Sequence, residues 1–213
     1  MSIRKGADWR YMRCRLLAIL FLLGAAPTFA QSRYFPDGTF ADKSKQAQAL
    51  VVTWYSRQLN GLEEPSLWAL SQDDKHATVY RFLWLRTFHH PIAIRVVIAP
   101  DGTAELIMKM SGGAGGYGPG PLIENQTKKL SATEVTDLLE QVNNANFWKL
   151  STQEKRSSLS FEMDGAQWIL EGVQDGNYHI VDRWSPTKGA YRALCLFFVR
   201  KLARLRVPRD QVY

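Results

Sequence analysis

Two kinds of apolar spacing alternate along the chain. Between residues 42 and 59, Ala47, Leu50, Val51, Trp54 and Tyr55 recur at three- and four-residue intervals, which predicts an amphipathic helix capped by Asp42 and ended by Gly61. Its apolar stripe should cover a sheet. From residue 78 the spacing changes: 78–88, 92–99 and 103–110 are rich in branched and aromatic side chains, and Pro100-Asp101-Gly102 supplies a turn between the last two. These segments predict a meander in which Ile92, Ile94, Val96 and Ile98 share a face and Arg95 lies on the other.

Helical spacing returns at Ser131, where Ser131 and Glu134 stand three apart as a capping box requires. Val135, Leu138, Leu139 and Val142 mark the buried face of this second helix, and Phe147 and Trp148 follow as an anchor. A third helix opens near residues 185–187, with Tyr191, Leu194, Cys195, Phe198 and Leu202 on one stripe, and Pro208 closes it.

Between the last two helices, residues 159–186 alternate apolar and polar positions around two Asp-Gly pairs, Asp164-Gly165 and Asp175-Gly176. Asp-Gly suits a two-residue hairpin turn because both central residues need positive φ. Two such turns would set Phe161 opposite Trp168, Leu159 opposite Leu170, Leu170 opposite Val181 and Glu171 opposite Ile180. One face then carries Leu159, Phe161, Trp168, Leu170 and Val181, a core face. The other mixes Ile169, Val173, Tyr178 and Ile180 with Glu162, Glu171 and Asp182. The order of helix, strands, helix, strands, helix predicts an α+β class: antiparallel β-meanders packed against about three helices in a single domain spanning 31–213.

The first thirty residues stand apart from this pattern. Arg4, Lys5, Arg10, Arg13 and Arg15 form a basic leader, residues 16–25 are apolar, and Thr28-Phe29-Ala30 presents small residues where a signal peptidase cuts. The apolar run is about half the ~20 residues a membrane span needs. The expectation is a signal peptide cleaved after Ala30, a periplasmic or secreted protein, and no transmembrane segment once the leader is gone. Charge follows the same division: residues 1–30 hold five bases and one acid, so the whole-chain net of +7 leaves +3 on the remainder. The basic residues from Arg200 to Arg209 read as a solvated helix end, and an exported chain has no nucleic-acid partner to expect.

Of the two cysteines only Cys195 lies beyond the leader, so an internal disulfide is excluded there. Its apolar surroundings point to a buried thiol rather than a nucleophile. His89 and His90 are adjacent and would point to opposite faces of a strand, and His76 and His179 have no ligand-like spacing, so no metal site is expected. Gly113, Gly115 and Gly118 fit G-x-G-x-x-G, but Pro119 and Pro121 follow where a nucleotide site needs a helix start, so no cofactor is expected. The glycine-rich segment 112–121 reads instead as a flexible loop presenting Tyr117, or as a mobile binding loop. Glu171 and Asp182 are the candidate catalytic residues: as diagonal neighbours across a strand pair they would lie about 7 Å apart, within the range of glycosidase carboxylates. Tyr117 and Tyr178 are the candidate ligand-binding residues.

The segments KLSATEV, NFWKL and DGAQWILEGVQDGNYHIVDRWSP resemble a pattern in uncharacterised families of small bacterial exported proteins, over roughly residues 78–205. That resemblance implies a compact secreted domain and brings no catalytic residues. In element order, with its Gly-rich segment, capped helix, paired strands and last helix, the chain is also similar to emfourin-type inhibitors of metallopeptidases. Together these readings favour a non-enzymatic binding or interaction module of the bacterial cell envelope, with an envelope protein or polymer as partner. The alternatives are an envelope-polymer hydrolase using the carboxylate pair and a peptidase-inhibitor-like domain.

Overall fold

The run TVYRFLWLR offers water no polar face, and it becomes the strand around which the sheet is laid. In the computed structural model, which describes residues 33–41, 44–154 and 164–213, this is β1 (Thr78–Arg86), buried from Val79 onward. Among the described residues it is joined by β2 (Ile92–Ile98), β3 (Ala104–Ser111), β4 (Leu122–Leu130), β5 (Ala166–Gln174) and β6 (Asn177–Trp184). The order across the sheet is β4-β3-β2-β1-β5-β6, with every pair antiparallel.

Both faces of the sheet are covered, which explains why β1 reads as nearly continuous apolar sequence. On one face Tyr80, Phe82, Trp84, Trp168, Leu170 and Val181 pack beneath α3 (Ala132–Asn144) and α4 (Ala190–Phe197). Trp84 and Trp168 are cross-strand partners with ring centroids 5.3 Å apart. Large side chains buried in this way contribute about 1.5–3 kcal/mol each. On the other face Leu83, Leu85, Ala93, Ile169 and Ile180 meet α1 (Lys45–Gly61) and the segment carrying Phe35 and Phe40, while Leu67 of α2 (Leu67–Asp73) packs on Val79 and Val173. The result is an α+β fold of three layers. No helix among the described residues is long and apolar enough to cross a membrane.

Several local expectations hold. Ser131 and Glu134 close the capping box at the start of α3, and Val135, Leu138 and Val142 are buried. Asp175 and Gly176 take positive φ (51° and 73°), and the hairpin they make pairs Leu170 with Val181 and Glu171 with Ile180. Tyr191, Leu194, Cys195, Phe198 and Leu202 form the buried stripe of α4 and the π-helical turn that continues it.

Other expectations give way to tertiary pairing. The second edge of β5 is taken by β1, with Trp84 opposite Trp168 and Phe82 opposite Leu170, where the hairpin reading placed Phe161 and Leu159. Eight β1–β5 residue pairs run between Val79 and Arg86, and a ladder of aromatic and branched side chains outweighs one favourable turn dipeptide. Phe161 and Leu159 themselves lie outside the described residues, as do Asp42 and the leader. Ser44 caps α1, accepting a hydrogen bond from the Ala47 N–H, and Leu50 stands 66% exposed while Tyr55, Gln58 and Leu59 turn inward. The third expected helix, opening near residues 185–187 in the sequence, starts at Ala190. The mixed face of β5 and β6 is interior rather than open, because α1 and α2 cover it.

Candidate functional site

The β5–β6 register places Asp182 opposite Ile169, two positions from the Ile180 that faces Glu171, so the two candidate carboxylates are diagonal neighbours as the pattern predicts. Their surroundings are not those of a catalytic pair. Glu171 is fully buried: its Oε2 accepts from Arg81 Nε at 2.9 Å and Arg81 Nη2 at 2.6 Å, and its Oε1 accepts from the Tyr178 hydroxyl at 2.9 Å. Asp182 Oδ2 accepts from the Tyr55 hydroxyl at 3.0 Å and from Gln153 Nε2 at 3.2 Å. Both carboxylates bind structural elements together, α1 to β6 in one case and β1 to β5 in the other.

The Glu171 pair belongs to a larger buried network. Glu64, between α1 and α2, accepts from Arg95 Nε at 2.8 Å and lies 3.4 Å from Arg81 Nη1 and 3.5 Å from Lys109 Nζ. Arg81 Nη1 also donates to the Pro65 carbonyl at 2.6 Å, and Lys109 to that of Glu63 at 2.7 Å. Burial pulls the Arg81 pKa down, but Glu171 and then Glu64 outweigh it and hold the guanidinium above its ordinary value. Burial, followed by the Glu171 charge, pushes the Tyr178 hydroxyl well above its ordinary pKa. Its ring packs edge-on to Trp68, with centroids 5.8 Å apart. The Tyr178 hydroxyl thus serves the network as a donor, while the residue also lines a surface pocket with Trp148, Asn177 and His179.

Tyr117 is 65% exposed, as expected, but the loop beneath it is pinned rather than free. Gly115 N donates to the carbonyls of Arg86 (3.0 Å) and His89 (2.9 Å), and Gly116 N to that of Thr87 (3.1 Å). From α1, Trp54 Nε1 donates to the Gly115 carbonyl at 2.9 Å and Gln58 Nε2 to the Tyr117 carbonyl at 3.0 Å. A Cβ on Gly113 would stand 1.9 Å from the Gly118 carbonyl oxygen, and one on Gly115 2.6 Å from that of Arg86. Gly115 serves close backbone approach to β1 and Gly113 to the returning limb of its own loop, which is why the phosphate-loop spacing occurs without a phosphate-loop context.

The histidines are separated by their partners. His89 Nδ1 pairs with the Tyr213 hydroxyl at 2.7 Å, His90 Nδ1 with the Gly113 carbonyl at 2.8 Å, and His179 packs against the Phe147 ring with centroids 5.0 Å apart. Among the described residues no three His, Cys, Asp or Glu side chains cluster as a metal site would require. Cys195 is fully buried, and burial pushes its thiol far above the ordinary pKa.

The end of the sheet where β1 hands over to β2 and β3 to β4 offers a different surface. Phe88 is 58% exposed, and Ile123 is 50% exposed beside Gly112. With Tyr117 these make three large apolar side chains at one end of the molecule. Alongside opens a cavity of about 300 Å³ walled by Arg86, Phe88, His90, Ile92, Met110 and the segment 205–208. Arg86 is 4% exposed, its guanidinium lies 4.4 Å above the Trp84 ring, and its Nη2 reaches the His90 carbonyl only at 3.5 Å. Burial draws its pKa below the ordinary value, against a smaller opposing influence of Tyr213.

Sequence spacing pointed to neither Arg86 nor Phe88. The available signal was an arginine closing an apolar strand, in LWLR, directly before Thr-Phe-His-His. Compared with protein-family models, curated proteins and solved structures, the chain finds no match in any of the three.

Proposed function

We propose that the chain is an exported, non-enzymatic binding module of the bacterial cell envelope, and that it engages an envelope protein or polymer through the end of the sheet bearing Phe88, Tyr117 and Ile123. The observation that carries this reading is the exposure of three large apolar side chains at one end, with Tyr117 carried on a loop pinned by backbone hydrogen bonds. Apolar groups gathered on a surface cost free energy in water and mark contact sites. The pinned loop presents Tyr117 with little ordering entropy left to lose on binding. The basic and apolar leader supports export. The absorption of Glu171 and Asp182 into structural hydrogen bonds supports binding over hydrolysis.

The test is capture from an envelope extract with wild-type chain and with the Phe88→Ala/Tyr117→Ala variant, read by quantitative mass spectrometry. Both side chains are exposed, so the variant should keep its circular dichroism and melting temperature. The proposal expects a partner enriched by wild type and reduced at least tenfold by the variant. Equal capture by both proteins refutes it.

A further inference from the structure

We propose that the cavity beside Arg86 is a binding site for a small oxyanion, a carboxylate or phosphate monoester, carried on an apolar group. Arg86 ends β1 and is almost completely buried, yet among the described residues it forms no ion pair, unlike Arg81, Arg95 and Lys109. Its Nε and Nη1 have no hydrogen-bond partner, and Nη2 has only the 3.5 Å contact to the His90 carbonyl. Arg81, five residues earlier on the same strand, shows how this fold treats a buried guanidinium otherwise: it meets Glu171, Glu64 and the Pro65 carbonyl. A buried guanidinium without an ion-pair partner is costly, and the Trp84 face at 4.4 Å, with the weaker influence of Tyr213, offsets only part of that cost. An anion is the group the site lacks.

The cavity supplies the rest of the chemistry. His89, His90 and Arg206 line it with Arg86, and among the described residues no acidic side chain does, Asp210 acting on His89 from outside the lining. Ile92, Met110, Leu205 and Val207 make an apolar wall, which selects a ligand whose charged end is attached to hydrocarbon. A volume of about 300 Å³ sets the size near that of a single substituted ring or short acyl chain. Nε and Nη1 are closed off from water in the free protein, so the ligand gains them by a small shift of the segment 205–211 that walls the cavity. That segment is held by Tyr213, whose hydroxyl pairs with His89 Nδ1 and whose backbone oxygen accepts from Trp168 Nε1.

The experiment titrates the purified chain with benzoate, phenyl phosphate, inorganic phosphate and, as an uncharged control, benzamide. Melting temperature and the Arg86 Nε–H resonance in ¹H–¹⁵N spectra are followed. The expected result is a saturable rise in melting temperature and a moving Arg86 signal with benzoate or phenyl phosphate, none with benzamide, and a weaker response to inorganic phosphate. The stronger of the first two ligands distinguishes a carboxylate from a phosphate monoester as the class the site takes. Arg86→Gln should abolish the response. Arg206→Ala, at the rim and outside the core, should weaken it at least threefold and carries the test if Arg86→Gln does not fold. No saturable response to either organic anion, an equal response to benzamide, or an unchanged affinity in Arg206→Ala overturns the proposal. Phe88 also lines the cavity but Tyr117 does not, so capture by the single variant Tyr117→Ala reports on the envelope partner independently of the anion site.

Discussion

Removing either member of the Arg81–Glu171 pair should destabilise the protein, and removing both should restore much of the loss. The buried network holds three cations, Arg81, Arg95 and Lys109, against two carboxylates, Glu64 and Glu171. Glu171→Met leaves three cations facing one carboxylate and strips the Tyr178 hydroxyl of its acceptor. Arg81→Met leaves two against two, with Glu171 still held by Tyr178. The double variant returns to an excess of one positive charge, as in the native network. Breaking one side of a buried pair costs about 3–5 kcal/mol, and an orphaned hydroxyl adds about 1–3 kcal/mol, so Glu171→Met should be the worse of the two. An apolar pair of similar volume is often as good as the ion pair, so the double variant should cost less than the sum of the singles by about 3 kcal/mol or more. Urea unfolding followed by tryptophan fluorescence, with common m-values, supplies the four stabilities. Additive losses, or a Glu171→Met cost below about 1 kcal/mol, would refute the view that this carboxylate is structural.

Three further outcomes follow from single sites. Burial pushes the His179 pKa below its ordinary value of about 6.5, so the folded state favours the neutral ring. Its contribution to stability is fully present above pH 6.5 and is lost as pH falls from there toward the lower folded pKa. Urea midpoints at pH 7.5 and 5.5 should therefore differ less in His179→Gln than in wild type. Gly113→Ala places a Cβ 1.9 Å from backbone and should cost about 1–3 kcal/mol or more, whereas Gly118→Ala meets only the Arg57 guanidinium at 3.8 Å and should be nearly neutral; differential scanning calorimetry compares them. Cys195 should resist alkylation by iodoacetamide in the native protein and react fully in denaturant; rapid native labelling would contradict its burial and raised pKa.

What could be read from sequence was what neighbours along the chain decide. Ser131 and Glu134, the Asp175-Gly176 turn and the stripe from Tyr191 to Leu202 are local, and each folds as its spacing predicts. α2 was missed because Leu-Trp-Ala-Leu-Ser-Gln-Asp is too short to show a period. β4 was missed because LIENQTKKL is mostly exposed at the edge of the sheet, and such a strand carries little apolar signal. The surroundings of the candidate site were illegible for a different reason. Glu171 and Asp182 were paired by a correct register, but Arg81, Tyr55 and the covering helices come from sequence positions 90 and 127 residues away, and no local pattern encodes those partners. The unpaired Arg86 is invisible in the same way, since only the folded surroundings show what its guanidinium does not meet.

The strand order has a consequence for the path by which the chain folds. β1 to β4 are joined by successive connections and can zip up as a local meander, and β5 with β6 can form a hairpin by itself. Joining these two halves requires β1 to find β5 across a long stretch of chain, a closure whose entropy must be met before any contact rewards it. The Arg81–Glu171 pair, 90 residues apart in sequence, lies on that seam. A slip of one residue between β1 and β5 would send Glu171 to the opposite face of the sheet from Arg81, among the aromatic rings packed under α3 and α4. The buried pair therefore acts as a register key for the β1–β5 joint, disfavouring alignments that would part Arg81 from Glu171.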